Sequence, residues 1–303
     1  MPKHLLSIND LTKAELTQVL ERATEFQSGI KVTGRSNPKF ALIFQKPSLR
    51  TKISFALAIE ELGGHATFFG SDEIGLGTRE SVSDIAKTLE QYVDCIIARV
   101  FQHETLVELA HSTSVPVVNA LSDLEHPCQA IGDLLAIQQS KGLLQNCSIA
   151  FVGDGNNVAS SLALACALSG IKFTLACPKG YELPQAILES IDSMSDTQQS
   201  ITITQDLNLA VSEADVIYTD VWVSMGSEKY TEQRLRDFRE FQVTSALLDK
   251  AKKGAVFMHC LPAQSGREIE KGLLDHPQSI VYSQSRNRLY AQQSILELML
   301  NQL

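Results

Sequence analysis

The feature that most constrains this chain is an alternation: short apolar runs rich in β-formers are separated, again and again, by longer segments with helical spacing. The runs are Phe40 to Phe44, Ala66 to Phe69, Cys95 to Val100, Val115 to Asn119, Ser148 to Val152, Lys172 to Cys177, Val216 to Thr219, Ala255 to His259 and Ser279 to Tyr282. Strands buried on both faces read as continuous apolar runs, and intervening helices make the crossovers that parallel strands need. The pattern predicts an α/β protein whose sheets are mostly parallel, with helices on both faces. HPCQAIGDLLAIQQSKG places Ile131, Leu134, Leu135 and Ile137 at helical spacing and ends at Gly142, so it reads as a helix bridging two domains of similar size.

Composition narrows the function classes. The 303 residues are 44% hydrophobic, ample for a core. Lys and Arg total 26 against 35 Asp and Glu, a net charge of −9 that argues against nucleic acid and anionic membrane surfaces as partners. The start MPKHLLSIND lacks the charged and apolar regions of a signal peptide, and the most apolar region, Ala159 to Cys177, is broken by Ser169, Gly170 and Lys172. That interruption leaves it short of the roughly 20 residues of a membrane span. The six cysteines show no paired metal-type spacing, so a cytoplasmic protein with reduced, mostly buried thiols is expected.

In open parallel sheets ligands bind beyond the carboxyl ends of the strands, and the polar motifs fall there. After Phe40 to Phe44 comes KPSLRT, with Ser48 to Thr51 opening a helix. The positive end of that helix, with Arg50 and two hydroxyls, suits a phosphate; an ordinary Ser N-cap beside a solvent-facing Arg has the same spelling. EHPCQ opens another helix, where His126 suits a carbonyl oxygen gaining charge and Gln129 an amide; a capping or packed His is the plain alternative. IAFVGDGNN resembles a dinucleotide loop, but its G-x-G is incomplete and the following strand ends in Cys177 and Pro178 rather than a ribose-binding carboxylate. Its glycines instead let backbone approach a ligand within reach of Asn156 or Asn157. DVWVSMG offers Asp220 to an ammonium and Ser224 with the Met225 backbone to polar groups, or else is a surface loop around Trp222. In FMHCLPAQ, Cys260 reads as a polar contact in preference to a nucleophile, because strand alternation sends His259 to the opposite face.

Taken in order, FQKPSLRTKISF, GTRESVSDIAKTL, IIARV, EHPCQ, GDGNN, DVWVSMG, HCLPA and the late NR resemble the ornithine carbamoyltransferase family over nearly the whole chain. The resemblance implies a two-domain enzyme that moves the carbamoyl group of carbamoyl phosphate to the δ-amine of L-ornithine, giving L-citrulline and phosphate for arginine biosynthesis. It implies no metal and no organic cofactor, and a homotrimer or a multiple of one. Residues 1–135 correspond to a carbamoyl phosphate domain, with the helix 288–303 packing back on it, and residues 136–287 to an ornithine domain. Matched by position, Ser48, Leu49, Arg50, Thr51, Arg99, His126, Gln129, Cys260, Leu261 and Arg288 hold carbamoyl phosphate. Asn157, Asp220, Ser224 and Met225 hold ornithine, and Arg99, His126 and Cys260 carry the catalysis. The amine attacks when neutral, against an alkylammonium pKa of about 10.4 that desolvation lowers. Arg50, Arg99 and His126 then stabilise charge on the carbonyl oxygen and leaving phosphate, with no acyl-enzyme.

Some positions depart from the family pattern. Leu49 replaces a Thr in the phosphate loop, Asp72 and Glu73 stand where a Gln reaching a neighbouring subunit is common, and QSGRE and SQSRNR replace more usual runs near the end. They motivate two alternatives: a carbamoyltransferase for another amine, such as acetylornithine or putrescine, and a catalytically weakened carbamoyl phosphate-binding paralogue.

Overall fold

The computed structural model describes residues 3–30, 37–142, 144–194, 201–223 and 230–301. The chain divides into two compact units, Met1–Leu135 with Arg286–Leu303, and Ala136–Ser285.

The first unit holds α1 (Lys13–Gln27), β1 (Lys39–Phe44), α2 (Leu49–Glu61), β2 (His65–Gly70), α3 (Ser71–Ile74), α4 (Val82–Leu89), β3 (Cys95–Arg99), α5 (His103–His111), β4 (Val117–Leu121) and the start of α6 (Pro127–Lys141). Its four strands are parallel in the order β2-β1-β3-β4. Every residue of β3 is buried, whereas the edge strand β2 is only partly covered. Ala41, Ile43, Ile96, Ala98 and Val117 form a core cluster with residues of α4 and α5. The N-terminal segment is tied to the opposite edge, where Leu5 N–H donates to Val117 O at 2.9 Å and Asn119 N–H to Leu5 O at 2.8 Å.

The second unit contains β5 (Ser148–Val152), α7 (Asn157–Ser169), β6 (Lys172–Ala176), α8 (Gln185–Met194), β7 (Ile201–Thr204), α9 (Leu207–Val211), β8 (Val216–Thr219), α10 (Thr231–Asp237), α11 (Ser245–Leu248), β9 (Val256–His259) and the start of α12 (Val281–Leu300). Its five strands are parallel in the order β7-β6-β5-β8-β9. Both sheets are therefore the parallel α/β type that the alternation predicts.

Two elements differ from the sequence reading. Ser279 to Tyr282 is not a strand: Ser279 makes one isolated bridge to Phe257 and the chain enters α12 at Val281. Its β-forming side chains are overridden by the helix, whose first bond runs from Gln284 N–H to Ile280 O. Conversely, β7 carries only the short sequence ITIT on a half-covered edge, so no apolar run announced it.

The order of strands fixes where ligands can sit. Chain direction across the sheet reverses between β1 and β3 in the first unit and between β5 and β8 in the second, and each reversal leaves a crevice beyond the carboxyl ends. Ser48 lies in the loop after β1 with Leu49 to Thr51 opening α2, Arg99 ends β3, and the loops after β5 and β8 carry Gly153 to Asn156 and Asp220.

Candidate active site

Ser48 is the N-cap of α2 and its Oγ accepts from Thr51 N–H at 3.2 Å. The Leu49 and Arg50 N–H groups in that first turn have no i−4 carbonyl to reach, so the dipole end of α2 opens toward an anion. Thr51 is fully buried, and its Oγ1 receives Arg288 Nη2 at 2.8 Å and Arg99 Nη1 at 3.5 Å. Two guanidiniums, from the end of β3 and from α12, thus meet on the hydroxyl of Thr51. Leu49 turns its side chain outward, 74% exposed.

His126 and Gln129, at the start of α6, are also buried. Burial first, then the charges of Arg288 and Arg99, drive the His126 pKa well below its ordinary value, which keeps the imidazole neutral. Gln129 commits its Nε2 to Asp133 Oδ1 at 2.8 Å, leaving its carbonyl oxygen as the atom to receive an amide N–H. Glu125, also buried, anchors this loop by accepting from Ile8 N–H at 3.2 Å. Close approach of Arg288 to α6 depends on Gly132, where a Cβ would lie 3.2 Å from Arg288 Cγ.

In the second unit Gly153 leaves β5 with φ +145° and passes beside Thr219, a conformation suited to glycine. Asn156 then caps α7, its Oδ1 accepting from Val158 and Ala159 N–H at 3.0 and 3.1 Å. Its Nδ2 donates to Asp220 Oδ2 at 2.8 Å, and Asn157 is the first residue of α7. The Cys260 thiol donates to Asp220 Oδ1 at 2.9 Å. His259 Nδ1 accepts from Leu261 N–H at 2.9 Å, and its Nε2 lies 3.4 Å from Glu268 Oε1.

The expectation that His259 points away from Cys260 does not hold: ligand-type atoms of Asp220, His259 and Cys260 all lie within 4.8 Å of one another. The reason is that β9 ends at His259, so Cys260 is already in the loop and strand alternation no longer governs it. These donor atoms are the one group among the described residues that could gather on a metal ion. The expected ligands Ser224 and Met225 lie outside the described residues. Sequence reasoning missed Asp133, Gly132, Glu125 and Glu268, whose roles depend on partners distant in the chain or on shape rather than on a motif.

Each parallel α/β unit gathers polar and charged side chains at its switch point, the place where domains of this class bind ligands. Residues 3–139 match the carbamoyl-P binding domain of the aspartate/ornithine carbamoyltransferases, and residues 145–299 match the Asp/Orn binding domain. The chain belongs to the aspartate/ornithine carbamoyltransferase family. It is 44% identical over 295 residues to an ornithine carbamoyltransferase of Methanobrevibacter smithii, covering 97% of this chain and 98% of that one. A Methanosarcina acetivorans ornithine carbamoyltransferase is 44% identical over 301 residues, with 98% of both chains covered. Among solved structures, ornithine carbamoyltransferase from Pyrococcus furiosus superposes with a TM-score of 0.93 at 41% identity, covering 97% of this chain and 96% of that one. The anabolic enzyme from Campylobacter jejuni gives 0.94 at 35% identity, covering 99% of this chain and 100% of that one.

Proposed function

We propose that this protein transfers the carbamoyl group of carbamoyl phosphate to the δ-amine of L-ornithine, forming L-citrulline and phosphate in arginine biosynthesis. The observation that carries the reading is the convergence of Arg99 and Arg288 on the Thr51 hydroxyl beside a neutral His126. A dianionic phosphoryl group is matched by two guanidiniums, Arg50 and the α2 N-terminus. A neutral imidazole donates one hydrogen bond to the carbamoyl oxygen without adding a proton, and Gln129 receives the carbamoyl amide.

In the second unit Asp220 takes the ornithine ammonium, Asn157, Ser224 and Met225 belong to the same half-site, and Cys260 with Leu261 adjoins the reacting groups. The δ-amine enters as a free base, attacks the carbonyl carbon, and the tetrahedral adduct collapses as the C–O bond to phosphate breaks. Arg50, Arg99 and His126 hold the negative charge that moves first to the carbonyl oxygen and then to phosphate. The amine passes its proton to the departing phosphate as the C–N bond becomes an amide bond, so no covalent enzyme intermediate is needed.

The enzyme works in the cytoplasm as a homotrimer or a multiple of one. The cysteines support the first: Cys95, Cys128, Cys147, Cys166, Cys177 and Cys260 form no disulfide. Among the described residues no helix is long and apolar enough to cross a membrane. Leu49, Ile53 and Leu57, exposed at four-residue spacing on α2, support an assembled form that covers this stripe. Offering purified protein carbamoyl phosphate with ornithine, acetylornithine, putrescine or aspartate in turn tests the substrate. The reading predicts product with ornithine alone, and turnover confined to another amine would replace it.

A further inference from the structure

Arg234 belongs to no motif in the sequence, yet three loops of the second unit meet on it. Its Nη1 lies 2.7 Å from Asp154 Oδ2 in the loop after β5 and donates to Trp222 O at 2.9 Å in the loop after β8. Its guanidinium carbon sits 5.1 Å from the centre of the Tyr181 ring, in the loop after β6. Three residues further along α10, Asp237 Oδ2 accepts the Tyr181 hydroxyl at 2.7 Å. Gly155 N–H donates to Tyr181 O at 2.8 Å, and a Cβ at Gly155 would come within 2.5 Å of Glu182 backbone atoms, so the first two loops are also locked to each other.

The two residues that Arg234 grips bracket the ammonium site in sequence. Asp154 is two residues before Asn156, Trp222 is two residues after Asp220, and Asn156 donates to Asp220 at 2.8 Å. The clip therefore fixes the spacing of the loops that present Asn156 and Asp220. Its charge acts too. Burial raises the Asp154 pKa, Arg234 opposes that rise, and the charge of Asp220 adds to it, so the two carboxylates feel each other. With Arg234 in place Asp154 is neutralised as a pair, both members being mostly buried.

We propose that Arg234 is a positioning residue for the amine substrate: it sets the separation of the β5 and β8 loops and cancels the charge of Asp154, so that Asp220 alone reads the ammonium. This inference rests on the ornithine reading. A plain structural ion pair would hold the fold without favouring one substrate, which gives the two possibilities different kinetics.

Four variants test it: Arg234→Gln, Arg234→Lys, Asp154→Asn and the pair Asp154→Asn with Arg234→Gln, each assayed with both substrates varied. Arg234→Gln leaves Asp154 without its cation, and Asp154→Asn leaves the Arg234 guanidinium without its carboxylate. Each is expected to raise the KM for ornithine by about tenfold or more, with the KM for carbamoyl phosphate changed less than about twofold. Lysine keeps the charge without the fork and should fall between, and the paired variant should recover part of the loss. If Arg234→Gln fails to fold, the isosteric Asp154→Asn and the paired variant carry the test. An unchanged ornithine KM, or both KM values moving together, overturns the proposal. Absence of citrulline from the wild-type protein would instead overturn the ornithine reading itself.

Discussion

His126 shows how a single residue's surroundings set its chemistry. In water the imidazole would be partly protonated near pH 6.5, but burial and the neighbouring Arg288 and Arg99 keep it neutral in the fold. A neutral donor is most useful when the carbonyl oxygen gains charge, so His126→Ala should lower kcat by about 10²- to 10³-fold. The ornithine KM should change little, and steady-state kinetics would check both; an unaltered kcat would remove His126 from the mechanism. Leu49 makes the converse case. Its side chain is exposed, which leaves the proposed phosphate loop with backbone N–H groups, Ser48, Arg50 and Thr51. Leu49→Thr puts its hydroxyl on that outward side, so the KM for carbamoyl phosphate should change by less than about twofold; a fall of about tenfold would show that the hydroxyl reaches the phosphate. Ser48, Arg99 and His126 stand out in the sequence as candidates because each lies at a strand end or helix start within a short motif. The Arg288 bond to Thr51 spans 237 positions, and no local pattern can announce it.

At the scale of elements, helix α6 illustrates packing that serves the site. Gly132 lies in its interior, where glycine costs about 1 kcal/mol relative to alanine in helix propensity. The compensation is contact: a Cβ there would meet Arg288 at 3.2 Å from Cγ and 3.4 Å from Cα. Gly132→Ala should thus leave the thermal midpoint nearly unchanged, since propensity and overpacking oppose each other, while displacing Arg288 and raising the KM for carbamoyl phosphate. Calorimetry paired with kinetics separates the two effects. Helices α1 and α12 are joined by Arg22, whose Nε and Nη2 reach Glu297 at 2.6 and 2.8 Å while Nη1 reaches Glu25 at 2.6 Å. A bidentate, partly buried pair exceeds the usual surface contribution, so Arg22→Ala should cost about 1–2 kcal/mol in denaturant unfolding without affecting either KM. Elements buried on both faces were readable as apolar runs, as with β3 and β5, whose limits needed little adjustment. The edge strand β7 and the β-rich entry to α12 were not, because partial exposure in one and the helix that begins at Val281 in the other outweigh local propensity.

For the whole molecule, three histidines set the response to acid. His4, His103 and His126 all have pKa values lowered, in each case mainly by burial. The unfolded chain binds protons at these groups near pH 6.5 while the folded chain does not, so stability rises with pH through this window. Their contribution is complete above about pH 6.5 and is lost as pH falls through the lower folded values. Thermal midpoints should decline from pH 7 toward pH 5.5, and His126→Asn should flatten part of the decline; a midpoint that rises on acidification would contradict these assignments. Fold class was visible in the sequence because buried strands read as apolar runs, and the proposed phosphate site was named from motifs at strand ends. The supporting residues Asp133, Glu125, Glu268 and Arg234 were not, since an isolated charged or polar side chain gives no sign of the distant partner that fixes it. The central claim is carbamoyl transfer to ornithine, and carbon-13 NMR with carbamoyl phosphate labelled at the carbonyl tests it most directly. The account predicts that the label passes into the ureido carbon of citrulline with one phosphate released per citrulline. Phosphate release without labelled citrulline, or label on a different amine in a mixture containing ornithine, would contradict it.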